Sequence, residues 1–315
     1  MPSIESAVFE SYMQFDARLV EEAVLLSIAG HPEERQFRKL RDRIYEIEDA
    51  EQRERQFQEC HAEWFQLLGL NRPLRIAFEE NPPLREKTRM CAVTLALSSH
   101  DEGADLYTRA ERPGETDSPK PSIAIKLRPK TLLNTAILLP LLRHELMHVS
   151  DMLEPGFGYE PVLPKSEFGS TYDNLVRERY KILWDTWIDG RLQRRNLQGP
   201  VSREKRLHQF LQAFPALGPG AEQVFNKLYE SPVQTHRAFM ERAQNPDTMF
   251  LPLQDKTPRA GRCPLCRFPA YHFAAGAELP SATLKQIQAD YPQWRAEEGL
   301  CVQCADLYRA RSVPM

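Results

Sequence analysis

The chain has 315 residues, enough for about two domains at roughly 100–200 residues each. Hydrophobic residues make up 42% and charged residues 27%, which excludes wholesale disorder. A net charge of −3, with a pI near 6.3, argues against bulk electrostatic attraction to nucleic acid or an anionic membrane.

The opening stretch, MPSIESAVFESYMQFDARLVEE, has neither a basic n-region nor an apolar h-region, so no secretion signal is expected. The longest apolar run, Ala136 to Leu142, is closed by Arg143 and is far short of a membrane span. The expectation is a cytoplasmic protein with no membrane partner. Of the 6 cysteines, four form two Cys-x-x-Cys pairs. In a reducing compartment that pattern points to metal rather than disulfides.

Residues 4–28 place Val8, Phe9, Met13, Phe15, Leu19, Val20, Val24 and Leu25 at helical spacing, which predicts a helix closed by Gly30. Residues 32–69 are highly charged with a thinner apolar stripe (Phe37, Leu40, Ile44, Ile47, Phe57, Trp64, Leu67). They read as one long helix, or as a helical hairpin open to self-association. Next, Leu74–Phe78, Cys91–Ala96, Asp105–Tyr107 and Ser122–Leu127 look strand-like, separated by turn clusters at Asn81-Pro82-Pro83, Ser98–Gly103 and Arg112–Pro121. A small antiparallel sheet is expected from them. Helix is expected over 130–153, with Pro140 as a kink or a first turn. A Pro/Gly-rich loop (Glu154–Lys165) comes next. Further helices are expected over 171–196, 202–214, 220–230 and 233–243.

Within the 130–153 helix lies His144-Glu145-Leu146-Met147-His148. Residues four apart project from one helix face, so both imidazoles can reach one ion. Glu145 lies about 100° further round, beside the ion rather than on it. Zinc acidifies a bound water, and an adjacent carboxylate can take its proton. The surrounding helix is apolar (Leu138, Leu139, Leu141, Leu142), where two histidines without a role would be costly to bury.

A sheet, a helix bearing His144-Glu145-x-x-His148 and a second helix with carboxylates together resemble the zincin metallopeptidases, over roughly residues 74–196. The resemblance implies zinc-dependent hydrolysis of a peptide or protein substrate, with Glu145 as general base and acid. It also implies an edge strand that binds extended substrate, for which Ser122–Leu127 is the candidate. A catalytic zinc takes three protein ligands. In the gluzincin branch the second helix carries an acidic ligand and, four residues on, an Asp that orients a ligating histidine. Matched onto Leu183-Trp184-Asp185-Thr186-Trp187-Ile188-Asp189, this makes Asp185 the third ligand and Asp189 the partner of His144.

The family usually has Glu at the ligand position, and Asp is one methylene shorter. That leaves Glu178 (seven residues earlier on the same face) and Asp189 as alternatives. The metzincin pattern His-Glu-x-x-His-x-x-Gly-x-x-His would instead put Asp151 at its Gly and Glu154 at its last His. Asp185 and Asp189 could also simply form a salt-bridge face with Arg191 and Arg194. Tyr172, Tyr180, Arg191 and His236 are candidates to stabilise an oxyanion.

Cys263-Pro264-Leu265-Cys266 and Cys301-Val302-Gln303-Cys304 supply four thiolates for a second, structural zinc. With helix expected over Ser281–Tyr291 and after Cys304, the segment resembles a zinc-ribbon or treble-clef module, with His272 a lesser ligand candidate. Such modules often bind nucleic acid or protein. From Lys256 onward there are only eight basic and five acidic side chains and no aromatic–basic stripe, so nucleic acid is not the expected partner. Cys60 and Cys91 read as core residues.

The expected fold is α+β and predominantly helical. A helical region (1–72) precedes a zincin-like core (73–245), which is followed by a linker and four-cysteine module (246–315). A peptidase with one catalytic and one structural zinc is the leading reading. A non-hydrolytic zinc-binding regulator or adaptor on the same scaffold, or a nucleic-acid-associated zinc protein, are the alternatives.

Overall fold

The structure is a computed structural model that describes residues 9–107, 120–161, 169–249, 261–270, 273–276 and 279–311. His272, most of the Arg112–Pro121 turn cluster and the end of the 154–165 loop lie outside those residues. The fold is α+β and mostly helical. The chain forms two compact units. The first comprises residues 1–164, 184–205 and 229–237, and the second 165–183, 206–228 and 238–315.

In the first unit a helical turn over residues 9–12 gives way to strand β1 (Met13–Phe15) and helix α1 (Ala17–Ile28). Asp16 caps α1, its Oδ1 accepting from Arg18 N at 2.9 Å and Leu19 N at 3.1 Å. The expected helix over 4–28 is therefore interrupted. Met13–Phe15 pair in parallel with residues 91–93, so sheet hydrogen bonds replace helical ones there.

The 32–69 segment is a hairpin rather than one helix: α2 (Glu34–Tyr45) and α3 (Ala50–Leu67), the latter capped by Asp49. Their apolar stripes meet, with Phe37 edge-on to Trp64 at 5.3 Å between centroids. Leu74–Phe78, expected as a strand, lies in helix α4 (Arg72–Glu79). Pro73 starts that helix, and Leu74, Ala77 and Phe78 recur at helical spacing to form its buried face. A short helix α5 (Pro83–Lys87) follows.

Strands β2 (Cys91–Leu95), β3 (Gly103–Tyr107) and β4 (Ser122–Leu127) complete a sheet of order β1-β2-β4-β3. The sheet is mixed rather than antiparallel: β1–β2 and β2–β4 are parallel, and only β3–β4 is antiparallel. Consequently β4 is internal and not the edge expected of Ser122–Leu127; the antiparallel edge is β3. Val93, Ile123, Ile125 and Leu127 are fully buried or nearly so. They share a core with Leu19, Phe78, Leu138 and Leu142.

After α6 (Pro129–Leu132), helix α7 (Thr135–Met152) carries the His-Glu-x-x-His motif, with Pro140 inside it. Helix α8 (Ser170–Arg194) is the long acidic-and-Trp helix, and its residues from Trp184 onward belong to the first unit.

The second unit contains most of helices α9 (Arg203–Ala213), α10 (Ala221–Glu230) and α11 (His236–Gln244). Phe210, Phe214, Phe225 and Phe239 are fully buried there. The cysteine module has its own core of Leu265, Leu279, Ile287, Trp294, Leu300 and Tyr308. It is built from strands β5 (Gly261–Arg262), β6 (Pro269–Ala270), β7 (Phe273–Ala274) and β8 (Leu300–Cys301), with helices α12 (Ser281–Asp290) and α13 (Val302–Arg311). Among the described residues no helix is long and apolar enough to cross a membrane.

Candidate metal centre

Helix α7 aims the His144 and His148 rings at the part of α8 that begins at Trp184. There His148 Nε2 lies 3.1 Å and His144 Nε2 3.4 Å from Asp185 Oδ1, and the two Nε2 atoms are 3.2 Å apart. Three donors facing one point can hold one metal ion. His144 and Asp185 are buried, while the His148 side chain keeps 11% of its exposure, so the group opens on that side.

Asp189, one turn after Asp185, places Oδ1 2.8 Å from His144 Nδ1. Burial alone would lower the His144 pKa, but Asp185 and Asp189 outweigh it and push it up to about 9. Burial would likewise raise Asp185, but hydrogen bonds and charge from both histidines hold it well below the ordinary carboxylate range.

Glu145 points to the sheet edge. Its Oε2 accepts from Ala104 N on β3 at 3.2 Å. A Cβ on Gly103 would come within 3.1 Å of the same oxygen, which explains a glycine at that point on the strand.

The other candidate ligands lie elsewhere. Glu178 is exposed. Glu154 is exposed and paired with Lys87 at 3.0 Å. Asp151 is buried, but it is bound by both terminal nitrogens of Arg191 and by Trp184 Nε1 at 2.7 Å. The salt-bridge face expected of Asp185 and Asp189 with Arg191 and Arg194 does not form. Arg191 holds Asp151, and Arg194 donates to the Tyr229 and Ser231 carbonyls.

Trp184 stands edge-on to His148 at 4.4 Å between centroids. It also contacts Phe157 and Tyr159, and both of these touch the His236 ring. Of the four oxyanion candidates, His236 thus joins an aromatic wall continuous with His148, and Arg191 is committed to Asp151. The Tyr172 hydroxyl donates to the Gln244 carbonyl at 3.1 Å, and the Tyr180 ring stands edge-on to Phe239. Sequence reasoning missed Tyr159, which sits in a loop with no periodic pattern. It missed the role of Asp151 as well, although Asp151 falls on the motif helix three residues past His148.

In the second unit the four sulfurs of Cys263, Cys266, Cys301 and Cys304 gather as a second candidate metal group. Cys266 Sγ and Cys301 Sγ are 3.8 Å apart. Backbone N–H groups point at the sulfurs: Cys301 N to Cys263 Sγ at 3.3 Å and Cys304 N to Cys301 Sγ at 3.4 Å. Burial opposes ionisation of Cys263, but the backbone N–H groups of Cys301, Cys266 and Leu265 outweigh it and lower its pKa. Arg267 takes a left-handed conformation (φ 62°) that closes the first knuckle, its N–H bonding the Cys263 carbonyl at 2.8 Å. Cys60 and Cys91 are buried free thiols.

Comparison with protein-family models, curated proteins and solved structures finds no match to this chain.

Proposed function

We propose that the protein is a zinc-dependent metallopeptidase of zincin type, with His144, His148 and Asp185 as ligands of the catalytic zinc and a structural zinc on the four cysteines. The observation that carries this reading is the donor triangle with edges of 3.1, 3.2 and 3.4 Å. Tetrahedral bonds of about 2.0–2.1 Å imply ligand-to-ligand edges of roughly 3.3 Å. The same argument with Zn–S bonds of about 2.3 Å implies edges of roughly 3.8 Å, the separation of Cys266 and Cys301.

The chemistry a zinc ion supplies is Lewis acidity, which polarises a substrate carbonyl and acidifies water. Asp189 accepts from His144 Nδ1, leaving Nε2 as the donor. Asp151, held by Arg191 and Trp184, braces α7 against α8 one turn beyond His148. Glu145 Oε2 takes the proton of the attacking water and returns it to the leaving amine nitrogen. Strand β3, the sheet edge beside Glu145, offers backbone groups to an extended peptide. The wall of Trp184, Tyr159 and His236 excludes water on one side, and His236 and Tyr159 supply donors for the developing oxyanion.

The test uses fluorescein-labelled casein and a peptide library with wild-type protein and Glu145→Gln. We expect hydrolysis to fall by at least about 100-fold while metal content by mass spectrometry stays the same. Undiminished hydrolysis by the variant would sink this mechanism, and wild-type protein that holds zinc but cleaves nothing would favour the non-hydrolytic reading.

A further inference from the structure

A cavity of about 400 Å³ lies within the first unit, on a face of α7 and α8 separate from the donor triangle. Met147 and Ser150 line it from α7, Arg191 and Arg194 from the end of α8 and Arg195 from just after it; Asn81 and Pro232 complete the lining. The three guanidinium groups are unequally neutralised. Arg191 pairs with Asp151 through its terminal nitrogens, but its Nε is buried and without a hydrogen-bond partner. Arg194 donates to the Tyr229 and Ser231 carbonyls, and Arg195 to the Glu80 carbonyl at 2.7 Å. Carbonyls satisfy donors without supplying charge. The Glu80 carboxylate is taken by Arg143 in a two-pronged pair. Exposed Glu230 acts on Arg194 in the opposite sense to Arg191. Burial, and then the charge of Arg191, lower the pKa of Arg194, which marks a place where positive charges crowd.

An excess of guanidinium charge around a concave space, with Ser150 and Asn81 as neutral donors, is the recognition chemistry of an oxyanion. The volume falls at the small end of ligand pockets, which run from about 300 to 1,000 Å³, so the space holds more than a bare ion. We propose that this cavity is an anion site that takes a phosphate group, free or at the end of a small phosphomonoester. A dianion there would bridge α7 and α8 just beyond His148 and Asp189. It would hold together the two helices that carry the metal donors without touching the donors themselves. The inference stands whether or not the protein is a peptidase.

The test is calorimetric titration with inorganic phosphate and with glycerol 3-phosphate at constant ionic strength, alongside thermal melts in phosphate or chloride. The expected result is saturable binding of at least one of the two and a rise in Tm that chloride does not reproduce. Glycerol 3-phosphate binding alone identifies the ester, and inorganic phosphate alone identifies the free ion. Arg194→Met/Arg195→Met should weaken binding by at least about tenfold. If that double variant does not fold, Arg195→Gln, which loses a single bond to a carbonyl, should weaken it by a smaller factor. His148→Ala should bind phosphate as the wild type does. The proposal is overturned if neither ligand binds, if chloride gives the same Tm shift, or if the arginine variants bind normally. Loss of phosphate binding in His148→Ala but not in the arginine variants would place the anion on the metal group and also overturn it.

Discussion

Asp189 Oδ1 lies 2.8 Å from His144 Nδ1, while Asp185, one helical turn earlier, faces the other nitrogen of the same ring. One helix thus supplies both an acid that could ligate a metal ion beside the two histidines and an acid that pairs with the opposite nitrogen of His144. Such partners typically contribute 10- to 100-fold to metal affinity. Asp189→Ala should therefore weaken metal binding by about that factor, and Asp189→Asn by less, because its carbonyl oxygen can still accept from Nδ1. Competition with a chromogenic chelator measures both, and equal affinities for wild type and Asp189→Ala would refute the coupling.

Cys301 offers its sulfur to the four-cysteine group and its N–H to Cys263 Sγ. Cys301→Ser should lower bound zinc by one ion per chain and expose the small core around Trp294 to protease, since such cores depend on their metal. Metal analysis and limited proteolysis check this. Unchanged stoichiometry would remove zinc from the group.

Gly190, inside α8, meets the Tyr229 backbone so closely that a Cβ would stand 1.8 Å from its carbonyl oxygen. Alanine gains about 1 kcal/mol in helix propensity over glycine. Overpacking against backbone costs about 1–3 kcal/mol or more, and the obstacle here cannot rotate away. Gly190→Ala should therefore lower the Tm, and a rise would show that the backbone yields.

His61 is buried between Phe37 and Phe57, and its Nε2 has no hydrogen-bond partner. Burial lowers its pKa below 6.5, outweighing the opposing pull of Glu21. Below that pH the unfolded chain takes up a proton that the folded chain refuses, so stability falls with acidification until the folded form is protonated too. His61→Leu removes this contribution. Denaturant melts between about pH 7 and pH 5 should show the variant losing less stability than the wild type. Parallel losses would mean that His61 is not the group responsible.

The histidine and cysteine donors were legible because their spacing is local. Asp185 and Asp189 are singled out over Glu178 on the same face by the resemblance to the gluzincin pattern, whereas a His-Glu-x-x-His run on an apolar helix and paired cysteines follow from 3.6 residues per turn and knuckle geometry. The long helix over 170–194 was legible for the same reason. Distant partners decided the rest. Met13–Phe15 became a strand through pairing with β2, inside a pattern that reads as helix. Which strand forms the edge beside Glu145 depends on which backbones hydrogen-bond, and residues 103–107 and 122–127 carry no mark of their order in the sheet. Asp151 and Arg191, forty residues apart, found each other only once α7 lay against the end of α8. Helical periodicity is written in neighbouring residues. Strand order, ion-pair choice and the cavity of arginines arise from backbone and charge pairing across the chain, where burial makes each unpaired group costly.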